Sequence, residues 1–174
     1  MIEADQLFLN RPGKGSRIWE ARQGDSILGE MIFQPSAALI PMEVSNAANT
    51  SKCAVALFES GRMEPSSRTS RLWLAGKFSG GCTEVLDAGG RAIGGWQGEW
   101  LRVLNHPAGR VILKDSFHWE WINPAGLALA AWEILEPNSW RIDFRGLESN
   151  QAYCRLVALL KAGETISQVS GSPQ

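Results

Sequence analysis

The chain has 174 residues, of which 44% are apolar and 20% are charged, and its net charge is −1. These values are typical of one globular domain that is long enough to enclose a core, and they exclude a fibrous or largely disordered chain. The near-zero net charge supplies no general attraction for nucleic acid or acidic lipid. We therefore expect no nucleic-acid partner, and an anionic lipid would have to meet a local basic patch.

The amino-terminal stretch carries Glu3 and Asp5 where a signal peptide would carry positive charge, and no long apolar run follows. No segment approaches the roughly 18 to 20 apolar residues that a membrane-spanning helix needs. The cysteines Cys53, Cys82 and Cys154 form no Cys-x-x-Cys pair, which predicts buried free thiols in a reducing compartment. We expect a cytoplasmic protein without a transmembrane span. Twelve arginines against five lysines are compatible with a bacterial source.

Four segments place a glycine-containing turn between two apolar runs, which predicts four β-hairpins. In the third and fourth segments the turn reads NHPAG and NPAG, where proline fixes φ and glycine accepts a positive φ. The four segments are residues 18–33, 83–96, 101–113 and 119–134. The GLALAAWEIL stretch, residues 126–135, has a composition that suits a helix, but it follows a turn and precedes Pro137, so we predict a strand.

Alternation of apolar and polar residues predicts two further half-buried strands, in SFHWEWI (116–122) and SWRIDFR (139–145). The charged face of the second strand is expected to meet solvent. With the hairpins, the whole chain offers about twelve strands. The residues predicted to face the core are Phe117, Trp119, Trp121, Trp140, Ile142 and Phe144.

Residues 150–162 are predicted to form one apolar helix, whose large side chains cover an arc of about 160°, wider than the apolar stripe of an ordinary surface helix. Such a helix needs cover on most sides, and a closed sheet of about twelve strands has a lumen too wide for side chains alone to fill. We therefore predict one domain over residues 1–163, a closed antiparallel β-barrel around or capped by this helix. Residues 164–174 are expected to form a flexible tail. Arg155, inside such a helix, would need a paired acid or carbonyl acceptors.

The consecutive hairpins, the LDAGGRAIGGW stretch (86–96) and the final apolar helix resemble the tubby C-terminal-like superfamily, especially its scramblase-like and LURP-one-related branch. The resemblance covers residues 15–163 in outline, and the recognisable sequence motifs lie within residues 83–162. It implies a closed antiparallel barrel around a hydrophobic C-terminal helix. It carries over no site, because no stretch here matches the basic residues that hold a phosphoinositide headgroup in tubby proteins. The calcium-binding and palmitoylation segments of scramblases have no counterpart either.

The sequence motifs point to no catalytic residue, cofactor or metal. PGKGS (12–16) lacks the spacing of a phosphate-binding P-loop, which predicts an ordinary turn. Ser116 and His118 lie about 6 to 7 Å apart along an extended strand, too far for direct proton transfer. His106 falls in the predicted NHPAG turn, and two histidines without further ligands at suitable spacing do not predict a metal site.

Four residues are candidates for ligand contact. Arg141 and Arg145 have the R-x-x-x-R spacing of PilZ domains without the companion D/N-x-S-x-x-G motif, and they share a strand face about 13 Å apart. They form the clearest candidate for a small cationic patch. Trp96 and Trp100, in GGWQGEW, are surrounded by glycines that break the strand alternation, which predicts a bulge or a ligand-facing rim.

Three classes of function follow from these features. The favoured class is a nonenzymatic barrel that binds a lipid headgroup, a membrane surface or a protein partner. The second is a small-molecule carrier with a pocket at the barrel mouth near Trp96 and Trp100. The third is an enzyme whose residues converge only in space, which sequence spacing does not exclude.

Overall fold

The computed structural model describes residues 4–13, 16, 18–33, 54–59, 71–79, 82–86 and 91–170. This part of the chain is mainly β, with antiparallel strands and a C-terminal helix, as the sequence predicts. The elements are β1 (Gln6–Asn10), β2 (Ile18–Gln23), β3 (Ser26–Phe33), β4 (Ala54–Glu59), β5 (Arg71–Ser79), β6 (Cys82–Leu86), β7 (Ala92–Gln97), β8 (Trp100–Val103), β9 (His106–Asp115), β10 (His118–Ile122), β11 (Ala128–Glu136), β12 (Ser139–Asp143) and α1 (Ala152–Ser170).

The strands pair with their neighbours along the chain. Nine of them form one continuous antiparallel sheet in the order β6-β7-β8-β9-β10-β11-β12-β1-β2. The backbones of β3, β4 and β5 pair in the same way between β2 and β6. Hairpin connections of this kind need only short turns, which explains the regular turn signals of the sequence.

The strands of the four predicted hairpins pair as expected, and the turn of the second, residues 87–90, lies outside the described residues. The NPAG turn of the fourth hairpin is confirmed. Gly126 adopts a φ of +82°, a conformation that favours glycine. The Asn123 Oδ1 atom accepts the N–H groups of Ala125 and Leu127, both at 2.9 Å, and so fixes the turn between β10 and β11. The strand that follows this turn, β11, confirms the assignment of GLALAAWEIL as a strand.

The prediction that NHPAG forms the turn of the third hairpin is wrong. The chain reverses at Leu104 and Asn105, and Asn105 takes a positive φ of 62°. Gly109 lies inside β9, where a Cβ atom would come within 2.3 Å of the Trp121 Nε1 atom and 2.5 Å of the Ile122 carbonyl oxygen. The glycine therefore allows an indole to pack directly on the strand, and it is not a turn residue.

The alternation of β10 and β12 is confirmed except at its first residue. Trp121, Trp140, Ile142 and Phe144 are buried, and Trp119 is partly buried, with its ring centroid 5.5 Å from that of Trp140. Phe117 is instead 59% exposed, because β10 begins at His118. The Asp115 Oδ1 atom accepts the Phe117 N–H at 3.0 Å and holds this residue in the turn before the strand.

The helix is longer than predicted. It begins at Ala152 and continues to Ser170, so residues 164–170 of the expected flexible tail are helical. Ile166 is fully buried and lies four residues after Ala162 and seven after Leu159, which are both buried. These spacings place it on the same helix face. The polar residues around Ile166 concealed this continuation in the sequence.

The prediction that α1 is covered on most sides is confirmed. Every residue from Cys154 to Leu160 is buried, and the helix contacts β3, β4, β7, β8 and β11. A Cβ atom on Gly94 would lie 2.9 Å from the Val157 Cγ2 atom, so β7 and the helix approach closely. No helix in the described ranges has the length and apolarity to cross a membrane.

The predicted acceptors for Arg155 are also confirmed. This side chain is 1% exposed, and its guanidinium donates to the carbonyl oxygens of Ala4 (2.8 Å), Leu147 (2.6 Å) and Glu148 (3.2 Å). It also donates to the Asp5 Oδ1 atom at 3.0 Å. The network ties the start of α1 to the segment before β1 and to the segment after β12.

The strand directions define two ends of the sheet. The near end is the one at which α1 begins, and it carries the turns at residues 104–105 and 123–127. The far end carries the turns at residues 98–99, 116–117 and 137–138. The Lys161 Nζ atom, in the middle of α1, donates to the Gly98 carbonyl oxygen at 3.1 Å, so the helix runs from the near end toward the far end.

Candidate functional site

Arg141 and Arg145 lie on the outer face of the sheet, as predicted, but each is paired with an acid. Arg141 is opposite Glu133 in the register of β11 and β12, and its Nη2 atom forms an ion pair with the Glu133 carboxylate. The Arg145 Nη2 and Nε atoms lie 2.5 and 2.7 Å from the Asp143 Oδ2 atom. The predicted cationic patch is therefore balanced by neighbouring carboxylates.

These pairs line a shallow cavity of about 250 Å³ on the outer face, which we call the outer trough. Partial burial would raise the pKa of Asp143, but hydrogen bonds from Arg145 and Gln6 outweigh this and hold the pKa below its ordinary value of 3.8. Lys114 adds a further ion pair with Glu120 at 3.3 Å. The trough is lined by His118, Glu120, Ala128, Leu129, Ala130, Ala131, Trp132, Glu133, Arg141, Asp143, Arg145 and Gly146.

Trp96 and Trp100 do not converge on one pocket. Trp96 is 3% exposed and packs inside the sheet, where the Lys161 Nζ atom lies 5.3 Å from a ring centroid. Trp100 is 55% exposed on the other side of the strand pair, beside the turn at residues 98–99. Only Trp100 is positioned to meet a partner.

A larger cavity lies at the near end, between the turn after β10, the start of β9 and the first turn of α1. Its volume is about 460 Å³, and its lining is mostly apolar. We call it the near-end cavity. Its walls are His106, Pro107, Trp121, Asn123, Pro124, Ala125, Leu129, Leu147, Gln151 and Cys154.

The side-chain oxygens of Asn123 and Gln151 are held by the same hydrogen bonds that build the walls of this cavity. The Asn123 side-chain oxygen is engaged by two backbone N–H groups of its own turn. The Gln151 Oε1 atom accepts the Glu148 N–H at 2.8 Å, just before α1. The Trp121 indole is fully buried, and its Nε1 atom has no hydrogen-bond partner among the described residues.

Cys154 adds a thiol to the cavity wall, but not an activated nucleophile. The side chain is buried and forms no disulfide, and burial raises its pKa to about 11. A thiol with so high a pKa stays protonated near neutral pH and is unreactive. The prediction of a buried free thiol is thus confirmed for Cys154, whereas Cys53 lies outside the described residues and the side chain of Cys82 is not described.

The Asp115, Ser116 and His118 cluster forms no catalytic triad. Asp115 holds the turn by accepting the Phe117 N–H, Ser116 lies exposed in that turn, and the His118 Nε2 atom faces Glu120 at 3.8 Å. His106, predicted in a turn, begins β9 and borders the near-end cavity. Within the described ranges, no three His, Cys, Asp or Glu side chains are grouped so as to hold a metal ion.

The near-end cavity was missed from the sequence because its walls come from three separated segments. No local pattern in the sequence indicates that these segments meet, since Pro107 lies inside β9 and Pro124 belongs to an ordinary turn. Comparison with known proteins adds nothing to this site. No protein-family model matches the chain, and no curated protein or solved structure matches it either.

Proposed function

We propose that this protein is a nonenzymatic binding protein that holds a small apolar molecule in the near-end cavity. The cavity itself carries the proposal. Its volume of about 460 Å³ is in the range of small-molecule sites, and its lining combines apolar walls with a few fixed polar groups. A carrier was the second of the three classes of function that the sequence left open, and the pocket proposed here lies at the near end instead of beside Trp96 and Trp100.

The proposal includes a twelve-stranded barrel that closes around α1. The antiparallel registers support closure, because they run from β1 to β12 without interruption and β12 pairs again with β1. A barrel of this size leaves a lumen that needs filling, and α1 supplies the apolar side chains. In this arrangement the near-end cavity is the space left beside the first turn of the helix.

Binding without catalysis is favoured by the chemistry of the cavity wall. Its titratable side chains are His106 and Cys154, and the raised pKa of Cys154 keeps the thiol protonated. The unbridged thiol also supports the expected cytoplasmic location. The relation to the tubby C-terminal-like superfamily belongs to the same proposal, and the order of hairpins followed by a buried C-terminal helix supports it.

A titration with 2-ethylnaphthalene, an apolar probe without polar groups, tests the carrier function. Two-dimensional ¹H–¹⁵N NMR should show saturable shifts of the Trp121 indole signal and of backbone signals around Gln151. The variant Ala125→Trp adds bulk at the cavity wall and should abolish these shifts. Its matched control, Ala108→Trp, adds the same bulk at an exposed residue of β9 that does not line the cavity.

The carrier function is contradicted if wild-type protein shows no saturable shifts, or if both tryptophan variants bind the probe equally well. Native mass spectrometry of the purified protein provides a second measurement. A bound small mass that is present in the wild type and in Ala108→Trp but lost in Ala125→Trp would support the proposal.

A second candidate function, contact with a membrane surface, is favoured by a separate observation. Four large apolar side chains at the far end are exposed, by 55% for Trp100, 59% for Leu113, 59% for Phe117 and 46% for Leu135. We call them the apolar rim. They lie in or beside three hairpin turns that follow one another around the sheet, so several could enter a lipid interface together. Because Arg141 and Arg145 are paired with acids, neutral lipid is a better partner than anionic lipid.

Liposome flotation tests this second candidate. The double variant Trp100→Ser/Phe117→Ser should lose association with phosphatidylcholine vesicles. The control Leu104→Ser/Leu127→Ser removes two exposed apolar residues at the near end and should keep it. Equal flotation of both variants, or none by the wild type, would exclude the apolar rim as a membrane contact. Anionic vesicles, with Arg141→Ala/Arg145→Ala alongside, show whether these arginines contribute.

A further inference from the structure

We infer that Trp100, Arg102 and Arg110 form a second ligand site, which takes a nucleoside phosphate. We call these three residues the Trp100 site. The site goes beyond the functions proposed above, and it lies on the outer face of β8 and β9, apart from the residues that line the near-end cavity. The inference follows from the shared face of these residues, from their exposure and from their chemistry.

The three residues of the Trp100 site share one face of the β8–β9 hairpin. Trp100 and Arg102 are exposed, and the residues that alternate with them in β8 are buried. Arg110 is exposed between two buried residues of β9 and lies directly opposite Trp100 in the register. Because residues that are opposite one another in an antiparallel pair point to the same face, all three side chains point outward.

The two arginines are close enough to hold one ligand group together. Arg102 follows Trp100 by two residues on the same strand, a spacing of about 6 to 7 Å. Arg110 is the diagonal neighbour of Arg102 across the hairpin, and diagonal neighbours are about 7 to 8 Å apart, within reach of long side chains. An anion beside Trp100 can therefore contact both guanidiniums.

Neither guanidinium has a partner among the described residues. Arg102 and Arg110 form no ion pair, side-chain hydrogen bond or cation–π contact there, and Glu99, exposed in the adjoining turn, pairs with neither. Two neighbouring charges of the same sign repel each other, and an anionic ligand would offset that repulsion. Six other basic side chains of the described ranges do pair with a carboxylate, namely Arg22, Lys114, Arg141, Arg145, Arg155 and Lys161.

The Trp100 ring is open to a planar ligand. The residue is 55% exposed, and no aromatic ring or cation of the described residues lies over its indole. Every nucleic-acid base has a π-face that can stack on such a ring. A ligand that covers Trp100 therefore gains apolar burial in addition to its contact with the arginines.

The charge of the site favours a phosphate group over a carboxylate. A phosphate monoester carries a charge of about −1.5 to −2 near pH 7, which matches two guanidiniums, and its oxygens accept paired hydrogen bonds from them. A carboxylate carries one charge and would leave one arginine uncompensated. A single nucleotide also fits better than a nucleic-acid strand, because Glu99 lies beside the site and the next cation of β9, Lys114, is already paired with Glu120.

Three probes separate the two contacts that the site offers. Adenosine 5′-monophosphate (AMP) has a base and a phosphate, adenosine has only the base, and ribose 5-phosphate has only the phosphate. Titrations followed by ¹H–¹⁵N NMR should show saturable shifts of the Trp100 indole signal with AMP. We expect the dissociation constant of AMP to be at least about tenfold below that of either partial probe, because AMP makes both contacts.

Two variants remove one contact each. Trp100→Ala should raise the dissociation constants of AMP and adenosine at least about fivefold, as the loss of one stacking contact gives, and leave that of ribose 5-phosphate unchanged. Arg110→Gln should raise the dissociation constants of AMP and ribose 5-phosphate about tenfold and leave that of adenosine unchanged. Both residues are exposed, so neither change alters the core.

Phe117→Ala and Arg145→Gln are the matched controls. Phe117 is an aromatic residue of similar exposure in another turn of the far end, and Arg145 is an exposed arginine that is already paired with Asp143. Arg145→Gln changes the net charge by the same amount as Arg110→Gln, so it reproduces any general electrostatic effect. Both controls should leave the dissociation constant of AMP unchanged.

The inference is overturned if AMP causes no saturable shift of the Trp100 signal, or if it binds no better than adenosine and ribose 5-phosphate. Equal losses in Arg110→Gln and Arg145→Gln would reveal a general charge effect and no site. A short oligoadenylate that binds more than about tenfold tighter than AMP would assign these residues to a nucleic-acid strand. If the wild type binds no AMP but Arg102→Gln/Arg110→Gln loses its association with phosphatidylcholine vesicles, the arginines contact lipid phosphates instead. Each of these outcomes leaves the near-end cavity to its own test with 2-ethylnaphthalene.

Discussion

The two halves of α1 are fixed by cations in different surroundings. At the near end, the Arg155 guanidinium is 1% exposed and donates to three carbonyl oxygens and one carboxylate. Toward the far end, the Lys161 side chain is 12% exposed and contacts the Gly98 carbonyl oxygen and, at 2.5 Å, the Glu164 carboxylate. The planar guanidinium of Arg155 therefore joins several backbone segments at once, whereas the ammonium group of Lys161 joins α1 to one turn, at residues 98–99.

The largest expected effect is therefore that of Arg155→Met. The methionine keeps much of the apolar volume but leaves the Ala4, Leu147 and Glu148 carbonyl oxygens without their donor. We expect the free energy of unfolding to fall by about 3 to 5 kcal/mol, measured by urea denaturation. Asp5→Asn is the control, because Asp5 is 70% exposed and solvent screens its charge. It should change the free energy by less than about 1 kcal/mol. Similar losses in both variants would show that the ion pair dominates over the carbonyl contacts.

A smaller effect at the same end is expected for Gly109→Ala. The added methyl group would overlap the Trp121 indole nitrogen and the Ile122 carbonyl oxygen, which a packed core does not absorb without strain. We expect a loss of about 1 to 3 kcal/mol in the free energy of unfolding. The control is Gly13→Ala, where an added Cβ meets nothing within 4 Å. Equal stability of Gly109→Ala and Gly13→Ala would contradict the direct packing of Trp121 on β9.

Lys161→Met tests the weaker fixation at the far end. The variant keeps the apolar stem but removes the charge that lies 5.3 Å from the Trp96 ring centroid. We expect a loss of about 1 kcal/mol in the free energy of unfolding, because the cost of burying the Lys161–Glu164 ion pair offsets much of its attraction and the cation–π contact adds a small contribution. Glu164→Gln removes the partner charge and keeps Lys161 beside Trp96, so its loss should be smaller. If Lys161→Met costs as much as Arg155→Met, the proposed difference between the two halves of α1 is wrong.

The sequence predicts well the features that depend on neighbouring residues. Alternation in SWRIDFR placed Trp140, Ile142 and Phe144 in the core, and the proline–glycine pair in NPAG fixed a real turn. The need of Arg155 for buried acceptors followed from the apolar composition around it. Each of these three inferences uses the period of one element or the chemistry of one side chain. None of them requires knowledge of the partner strand.

Features that depend on register or on distant segments were not predictable in the same way. The pairing of Arg141 with Glu133 exists because β11 and β12 align these residues, and no local pattern specifies that alignment. Gly109 looked like a turn residue because its proximity to Trp121 appears only in the folded sheet. The near-end cavity likewise requires the packing of α1 against two hairpins. The charge of the outer face and the position of the cavity were therefore the parts that the sequence did not disclose.

The smallest expected effect contrasts the outer face with both halves of α1 and concerns the pKa of Asp143. Partial burial raises this pKa, whereas Arg145 and Gln6 lower it and prevail. Arg145→Ala should therefore raise the pKa of Asp143, as measured by a ¹³C NMR titration of its carboxyl group. Arg141→Ala is the control and should leave this pKa unchanged, because Arg141 pairs with Glu133.

The sign of the associated stability change follows from the lowered pKa. A carboxyl group whose pKa is lower in the folded state contributes stability above its unfolded pKa, near the ordinary value of 3.8, and loses it as the pH falls through the folded pKa. Wild-type protein should therefore retain this contribution at neutral pH and lose it in acid, while Arg145→Ala should show a weaker dependence on pH below 3.8. An unchanged pKa of Asp143 in Arg145→Ala would mean that Arg145, which is highly exposed, is held beside Asp143 too briefly to act on it. The ion pairs of the outer face would then contribute less to stability than the buried hydrogen bonds of Arg155.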